Sequence, residues 1–517
     1  MKKLTLIILA LLLALSLAAC GSAAGSTDDK ITGSGTEADP YRISTAAQLQ
    51  QAAELIGQDS AYAGACYTLA ADIDLGGKSW APMGTEAMPF SGCFDGNGHT
   101  VRNFKITEDA ADIGFFGKVT GTVRGLTLAA AQIEATNANA AVGAIAGELW
   151  GGTLEDCHTA DNVTVSGSYH VGGICGNASD KAALRGLTNA AQVTAHGNVG
   201  NAAGIAARAA CPVDRCANSG TVTSEADAAG IAVSMTAGAA DCINQGDITG
   251  GGHAGGIAVQ FSDGALNHSQ NDAGVEMLRC TNSGTVTAGR DGAGISVSFR
   301  TGKVTNCTNT GAISAENNCG GIFAYFQISS FGGACEVFTV TGCINEGSVT
   351  GIGDGTSYHA GGIGGIVYGE STQIVFEFCT NSGDIRSLAA AGGILGRGDV
   401  KDIRFAGCSN EGFVLGFRFA GGILGRAVPL ADGTSVFLAE NCSNSGSVYA
   451  DTPSAYFQEN YCGGILGSCD VDLLSGVGFA EAAFPGCENS GKLSGGSSKL
   501  VTLCVHDLCG SWESKAQ

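Results

Sequence analysis

The densest run of metal-type and nucleophilic side chains in this 517-residue chain is Cys504-Val505-His506-Asp507-Leu508-Cys509. Two thiols and an imidazole so close together are ligands that zinc would take, but zinc asks for four in a tetrahedron. No fourth ligand stands nearby and the spacing is not that of a standard knuckle, so the run reads as a terminal strand with alternating side chains, and no metal is expected. Two carboxylate pairs, Asp72 with Asp74 and Asp470 with Asp472, have the chemistry for acid–base work on a glycosidic bond. Both lie beside Gly or Ser turns, and the first pair has no close Arg or Lys, which favours a solvated edge. A zincin needs His-Glu-x-x-His, and none of the eight His residues is followed by Glu. A Gly-x-Ser-x-Gly elbow between strand and helix is also missing, since Asn218-Ser219-Gly220 is a turn. The aromatic groups Phe323-Ala324-Tyr325-Phe326, Phe376 with Phe378, Phe417 with Phe419, and Tyr456-Phe457 could form a sugar-binding strip, but at stacked-coil spacing they read as core or interface filler. No catalytic residue and no cofactor are assigned.

The residues that do recur in register belong to a nine-fold frame, Cys-x-Asn-x-Gly-x-Val/Ile/Leu. It runs Cys216-Asn218-Gly220-Val222, Cys242-Asn244-Gly246-Ile248, Cys280-Asn282-Gly284-Val286, Cys307-Asn309-Gly311-Ile313 and Cys343-Asn345-Gly347-Val349. It continues through Cys379-Asn381-Gly383-Ile385, Cys408-Asn410-Gly412-Val414, Cys442-Asn444-Gly446-Val448 and Cys487-Asn489-Gly491-Leu493. Six of the nine Cys residues are followed fifteen positions later by the Ile of a small-Gly-Ile triplet: Ile231, Ile257, Ile295, Ile322, Ile394 and Ile423. Longer loops separate Cys343 from Ile363 and Cys442 from Ile465, and earlier, degenerate units begin at Cys157 and Leu187. Self-similarity at a period of about 20–50 residues means stacked coils, each burying its apolar face against its neighbours. The elements that position the frame are therefore short strands such as Asn162-Val163-Thr164-Val165 and Gly220-Thr221-Val222-Thr223, bounded by Gly, Asn and Ser.

Within a unit, Gly four places after Cys is expected to supply a turn with positive φ. Asn is expected to tolerate the left-handed region and to pass amide hydrogen bonds from rung to rung at about 4.8 Å. Cys, Asn and Val/Ile ladders along the axis follow from this. Twenty Cys remain after Cys20 is set aside. Rung spacing would permit disulfides, but a small repeat-positioned Cys is also a good buried residue, and a thiol ladder is the favoured reading. Pairing, if any, is expected among the off-frame Cys66, Cys93, Cys175, Cys211, Cys319, Cys335, Cys462, Cys469, Cys504 and Cys509. Thr45 to Ile56 has helical spacing, with Leu49, Ala52, Ala53 and Ile56 on one face, Thr45 and Gln48 as a capping box and Gly57 as the stop. One helix ahead of the strands would lid the open edge of the first coil. The fold class is thus all-β: a right-handed parallel β-helix (β-solenoid) with a short N-terminal capping helix.

The 82 Gly and 7 Pro suit tight turns between many strands. Mean hydropathy is +0.18, yet beyond residue 20 no segment nears the roughly 18 apolar residues of a spanning helix. A net charge of −22 disfavours nucleic acid and anionic lipid surfaces as partners. At the N-terminus, Lys2-Lys3 precede the apolar Leu4 to Leu17, and Leu17-Ala18-Ala19-Cys20-Gly21 has the form of a bacterial lipobox. Cys20 would be diacylated and become the first mature residue, followed by a flexible polar tether.

From Gly33 onward the chain resembles surface β-solenoids that carry the GLUG motif, which also occurs in the non-catalytic part of bacterial immunoglobulin A1 proteases. The matching segments are Gly35-Thr36-Glu37-Ala38-Asp39-Pro40-Tyr41-Arg42-Ile43-Ser44, Leu69-Ala70-Ala71-Asp72-Ile73-Asp74-Leu75 and Phe94-Asp95-Gly96-Asn97-Gly98-His99-Thr100-Val101. The later Gly-Gly-Ile and Cys-x-Asn-x-Gly-x-Val units look like the repeat itself. The resemblance implies an architecture and a surface location rather than an activity.

The expected organisation is a lipoprotein signal peptide at 1–19, a tether at 20–32, an N-terminal cap and first coils at 33–130, repeat coils at 131–497 and an end segment at 498–517. The expected function is a lipid-anchored surface protein acting as an adhesive, ligand-binding scaffold or spacer, extracytoplasmic, with a glycan or host surface protein as partner. A β-helix enzyme acting on polysaccharide is the alternative, and a lateral groove lined by carboxylates and a basic residue would favour it. Cys20→Ala should leave the precursor uncleaved or release it from the membrane. Cleavage before residue 20 together with detergent-only extraction of that variant, seen on fractionation, would contradict lipidation.

Overall fold

The computed structural model describes residues 30–262, 276–300, 302–327, 337–353, 358–430, 433–451, 459–469, 481–495 and 502–506. Cys20 with the signal segment, Cys335, Tyr456, Phe457, Asp470, Asp472, Asp507 and Cys509 lie outside the described residues.

One coil shows the plan. Asn201–Ala203 lies on a first face, Ala206–Ala209 and Val213–Asp214 on a second, and Ala217–Asn218 and Val222–Ser224 on a third. The next coil begins at Asp227–Ala229, paired in parallel with Asn201–Ala203. Along the first face the pairing joins 13 strands, from Asp112–Ile113 to Thr502–His506. The chain is a parallel β-helix. Most strands are short because the chain must turn three times per coil; Gly364–Glu377 and Leu395–Ala406, of 14 and 12 residues, are the long exceptions on the second face.

Alternation within each strand points one side chain inward and the next outward. On the third face Val222, Ile248, Val286, Ile313, Val349, Ile385, Val414 and Val448 are successive rung partners, all buried. The triplet Ile residues, from Ile174 to Ile465, join them in one continuous core. Stacked rings fill the wider coils: Phe323 lies 6.2 Å from Phe376, which lies 4.9 Å from Phe405.

The first coil is lidded by α1 (Ala46–Gln58), whose Leu49, Ala52 and Ile56 are buried. Thr45 Oγ1 accepts from Gln48 N at 3.2 Å, and Gln48 Oε1 accepts from Ser44 N at 2.7 Å, closing the cap. Gly57 does not stop the helix. Asp59 does: its extended backbone ends α1 while its carboxylate accepts from Ala61 N at 2.9 Å, starting the short α2 (Ser60–Ala63). A side-chain cap outcompetes a glycine that has no unmet turn to make.

The turn chemistry of the repeat also differs from the expectation. Gly220, Gly246 and Gly284 are not in the left-handed region, and neither are the Asn residues before them. That conformation falls instead on the residue before each Cys: Arg215, Asp241, Arg279, Asn306, Phe378 and Asn441 at φ +50 to +54°, with Gly at 342, 407 and 486. The frame Gly is required by close approach. A Cβ on Gly246 would sit 2.0 Å from the carbonyl oxygen of Gly220, one rung below.

Because each coil contacts only its neighbours, damage should stay local. Val286→Asp would bury an unpaired carboxylate at a cost of several kcal/mol. Hydrogen exchange should show protection lost between residues 257 and 322 and kept in distant coils; unchanged protection there would contradict the register.

Candidate functional site

The frame residues are interior. Asn218, Asn244, Asn282, Asn309, Asn345, Asn381, Asn410 and Asn444 are buried. Each side-chain amide donates one proton to the carboxamide oxygen of the next rung, from Asn189 to Asn489, at 2.7–2.8 Å. From Asn218 on, the second proton goes to the frame Gly carbonyl of the same coil, as from Asn218 to Gly220 O at 2.9 Å. Thr159 Oγ1 starts the file by donating to Asn189 Oδ1 at 2.6 Å. The amide fills the space over the middle Gly of the triplet: a Cβ on Gly230 would lie 2.4 Å from Asn244 Cγ. This contact is why the two recurring elements travel together.

Cys216, Cys242, Cys280, Cys307, Cys343, Cys379, Cys408 and Cys442 form a buried file of free thiols, and Cys487 ends it half-buried. Each donates to a backbone carbonyl; Cys242 Sγ lies 3.4 Å from Ala240 O and 3.6 Å from Val213 O. Burial pushes the Cys157 and Cys211 thiols up to about 12, so they stay protonated and inert. Of the off-frame cysteines, Cys66 and Cys93, on adjacent rungs with Cα atoms 4.5 Å apart, form a disulfide. Cys175, Cys211, Cys319 and Cys462 are buried free thiols. Cys504 and His506 stand on the last strand of the first face.

The carboxylates Asp72 and Asp74 are exposed and bind the next rung. His99 Nδ1 lies 3.2 Å from Asp72, and Arg102 Nε 3.2 Å from Asp74. A basic residue does therefore accompany the pair; it comes from the neighbouring coil, which strand pairing rather than chain proximity brings close. Phe323, Phe326 and Phe376 are core, and Phe378 is 65% exposed on a corner.

The polar side chains that converge lie where the first and second faces meet. Small residues let these faces close: a Cβ on Gly176 would be 2.6 Å from Val142 N, and one on Gly467 2.7 Å from Ala420 O. Outward side chains then line a lateral groove. Asp112, Ala141, His170, Asn201 and Asp227 are rung partners along one lip. Lys118, Glu148, Asn177, Arg208 and Ser234 are partners along the other.

Near the N-terminal end, the Lys118 ammonium pairs with Glu86 and, at 2.9 Å, with Glu148. Burial, then the charge of Glu148, raises the Asp112 carboxyl to about 6. Oxygens of Glu86, Asp112 and Glu148 lie within 4.8 Å of one another, a set that could hold a cation, but the Lys118 ammonium already stands among them. Further along, His253 bridges two rungs, with Nδ1 3.0 Å from Asp227 and Nε2 3.2 Å from the buried Asp291. Asp291 Oδ1 accepts from Asn318 N at 3.0 Å, and Asn318 Oδ1 accepts from His359 N at 3.2 Å. Arg397 donates to His359 Nε2 at 3.4 Å and grips Asp399 with two bonds of 2.7 Å. Burial, with Arg397 and Arg426 adding to it, holds His359 well below the usual imidazole range and so neutral.

The sequence carries a signal for one lip that the motif reading above does not use. His170, Asn201, Asp227, His253, Asp291, Asn318 and His359 each stand four places before a triplet Ile. Single units look unremarkable, and only the stacking shows that these residues form one row.

The hydrogen bonds to Asp227 and Asp291 raise His253 to about 9. An imidazole raised in the folded state stabilises fully below its unfolded value near 6.5, and the gain disappears as pH climbs through 9. His253→Gln should therefore lower stability by about 2 kcal/mol at pH 6 and by almost nothing at pH 10, in thermal unfolding of variant against wild type. An equal deficit at both pH values would contradict the bridge.

No family model matches the chain. A segment of 142 residues is 37% identical to a protein named as a Gly-rich membrane protein from Evansella cellulosilytica, covering 26% of this chain and 15% of that one. Another of 160 residues is 34% identical to halomucin of Haloquadratum walsbyi, covering 28% of this chain and 2% of that one. The matches thus span a small part of either relative. A crystal structure titled as an immunoglobulin A1 protease of Bacteroides ovatus aligns over 72% of this chain and 86% of its own at 19% identity, with a TM-score of 0.29.

Proposed function

We propose that the chain is an extracytoplasmic surface scaffold, held by lipid at Cys20, whose β-helix presents its lateral groove to a glycan or host surface protein. The observation that carries this reading is how the groove charges are used. Lys118 is tied to Glu86 and Glu148, His253 to Asp227 and Asp291, and Arg397 to Asp399, largely from one coil to the next. Such pairs hold coils in register and present a patterned polar surface. The names of the partial relatives, a membrane protein and halomucin, agree with a location outside the cytoplasm.

A second reading has its own support. The groove is lined by the carboxylates of Asp112, Glu148, Asp227 and Asp291 beside basic Lys118 and His253, the arrangement a polysaccharide-cleaving β-helix would need. The test compares the full-length protein with a chain ending near residue 340 on the same immobilised glycan or host protein. A scaffold should lose apparent affinity progressively as coils are removed, since repeated weak contacts sum to roughly 10²–10⁴-fold avidity. New reducing or unsaturated ends released by both chains, each of which keeps Asp112, Glu148, Asp227 and Asp291, would instead establish the enzyme.

A further inference from the structure

Large aromatic rings are mostly interior here, which makes two that flank the N-terminal end of the groove stand out. Trp150 directly follows the second-face strand Ala146–Leu149 and is 58% exposed. Tyr169 directly precedes the first-face strand His170–Gly172 on the next coil, 36% exposed, and its ring stacks on His170 at 3.9 Å. Exposing an indole to water forfeits burial that the same residue would gain in the core, as Trp80 does at 2% exposure.

Polar side chains adjoin each ring. Lys118 Nζ stands 5.0 Å from the Trp150 ring centroid and 2.9 Å from Glu148. Glu148 is the rung partner of Asn177, and Asn177 lies beside His170 across the groove. On the first-face lip, the residue between Asp112 and His170 is Ala141, which is itself buried. His170 Nδ1 and Asn177 Oδ1 are buried atoms that find no partner among the described residues beyond the contact of these two side chains with each other.

A flat exposed indole beside carboxylate, amide and imidazole groups is the chemistry that recognises a pyranose: the ring face takes the C–H side of the sugar, and the polar groups take its hydroxyls. The alternatives fit less well. The local carboxylates Glu86, Asp112 and Glu148 repel polyanions such as nucleic acid, sulfated glycans and anionic lipid. A protein hot spot would need a wider apolar surround than one indole on polar ground. We propose that Trp150, Glu148 and Asn177 form a subsite for an uncharged hexose unit of a polysaccharide lying along the groove. The proposal rests on the scaffold reading above and names its ligand class.

The test is affinity electrophoresis of the full-length protein, in mild detergent, through native gels cast with soluble β-glucan, mannan, polygalacturonate or heparin. Wild-type protein should be retarded by at least one of the two neutral polymers. Trp150→Ala should weaken that retardation by about tenfold or more, with Trp150→Phe keeping most of it and both variants melting like wild type. If neither neutral polymer retards the protein, or Trp150→Ala migrates like wild type in the polymer that does, the subsite is overturned. Retardation by polygalacturonate or heparin, or capture on a host-protein array, that Trp150→Ala leaves intact would overturn the subsite and leave the scaffold standing. Loss of binding on every surface tested would remove both.

Discussion

A buried carboxamide must find partners for two donors and an oxygen, and in this molecule it finds them only if coils stack at strand spacing. The Asn file from Asn189 to Asn489 meets that condition with nine bonds of one direction. A slip of any coil by one residue would leave two amides unsatisfied in a dry interior and expose the Val/Ile ladder beside them. The amide also demands a Gly beneath it, at Gly204, Gly230 and Gly256 among others, because a Cβ would overlap it. The repeat motif is therefore the chemical record of one constraint, registry between coils.

That constraint explains what the surface is free to do. With register fixed from inside, outward positions on the same strands need only tolerate their neighbours one rung away. Like charges stacked at about 4.8 Å would repel, and the first-face lip alternates charges or interposes neutral groups, whereas Arg397 and Arg426 are rung partners on the other lip. Asp227, His253, Asp291 and Asn318 follow that order along the first-face lip. The same alternation lets a chain of net charge −22 carry basic residues in one line without collapse of the line.

The thiol file follows the same logic. Cys suits the position as a small apolar side chain whose weak S–H donor reaches a backbone carbonyl, and Leu187 fills the equivalent place one rung before Cys216. Burial pushes the Cys216, Cys307 and Cys343 thiols well above the ordinary value and keeps them protonated. The Cys66–Cys93 bond lies in the first coils, where one end of the stack has no preceding rung to hold it.

Taken alone, the sequence determined the coil, its period, the inward Val/Ile, Cys and Asn positions and the capping helix, because each is a local pattern repeated until chance is excluded. Two local details went the other way. The left-handed turn falls on the residue before Cys rather than on the frame Gly, since what that Gly must avoid is a carbonyl one coil away. Asp59 rather than Gly57 ends α1, since its carboxylate caps the next turn. Only the tertiary structure decided the groove. Asp227, His253 and Asp291 are separated by 26 and 38 residues in sequence and meet because stacking converts a fixed offset from each triplet into a line. Trp150 and Tyr169 belong to different coils and frame one site for the same reason: proximity across rungs is set by pairing register, which no single unit encodes.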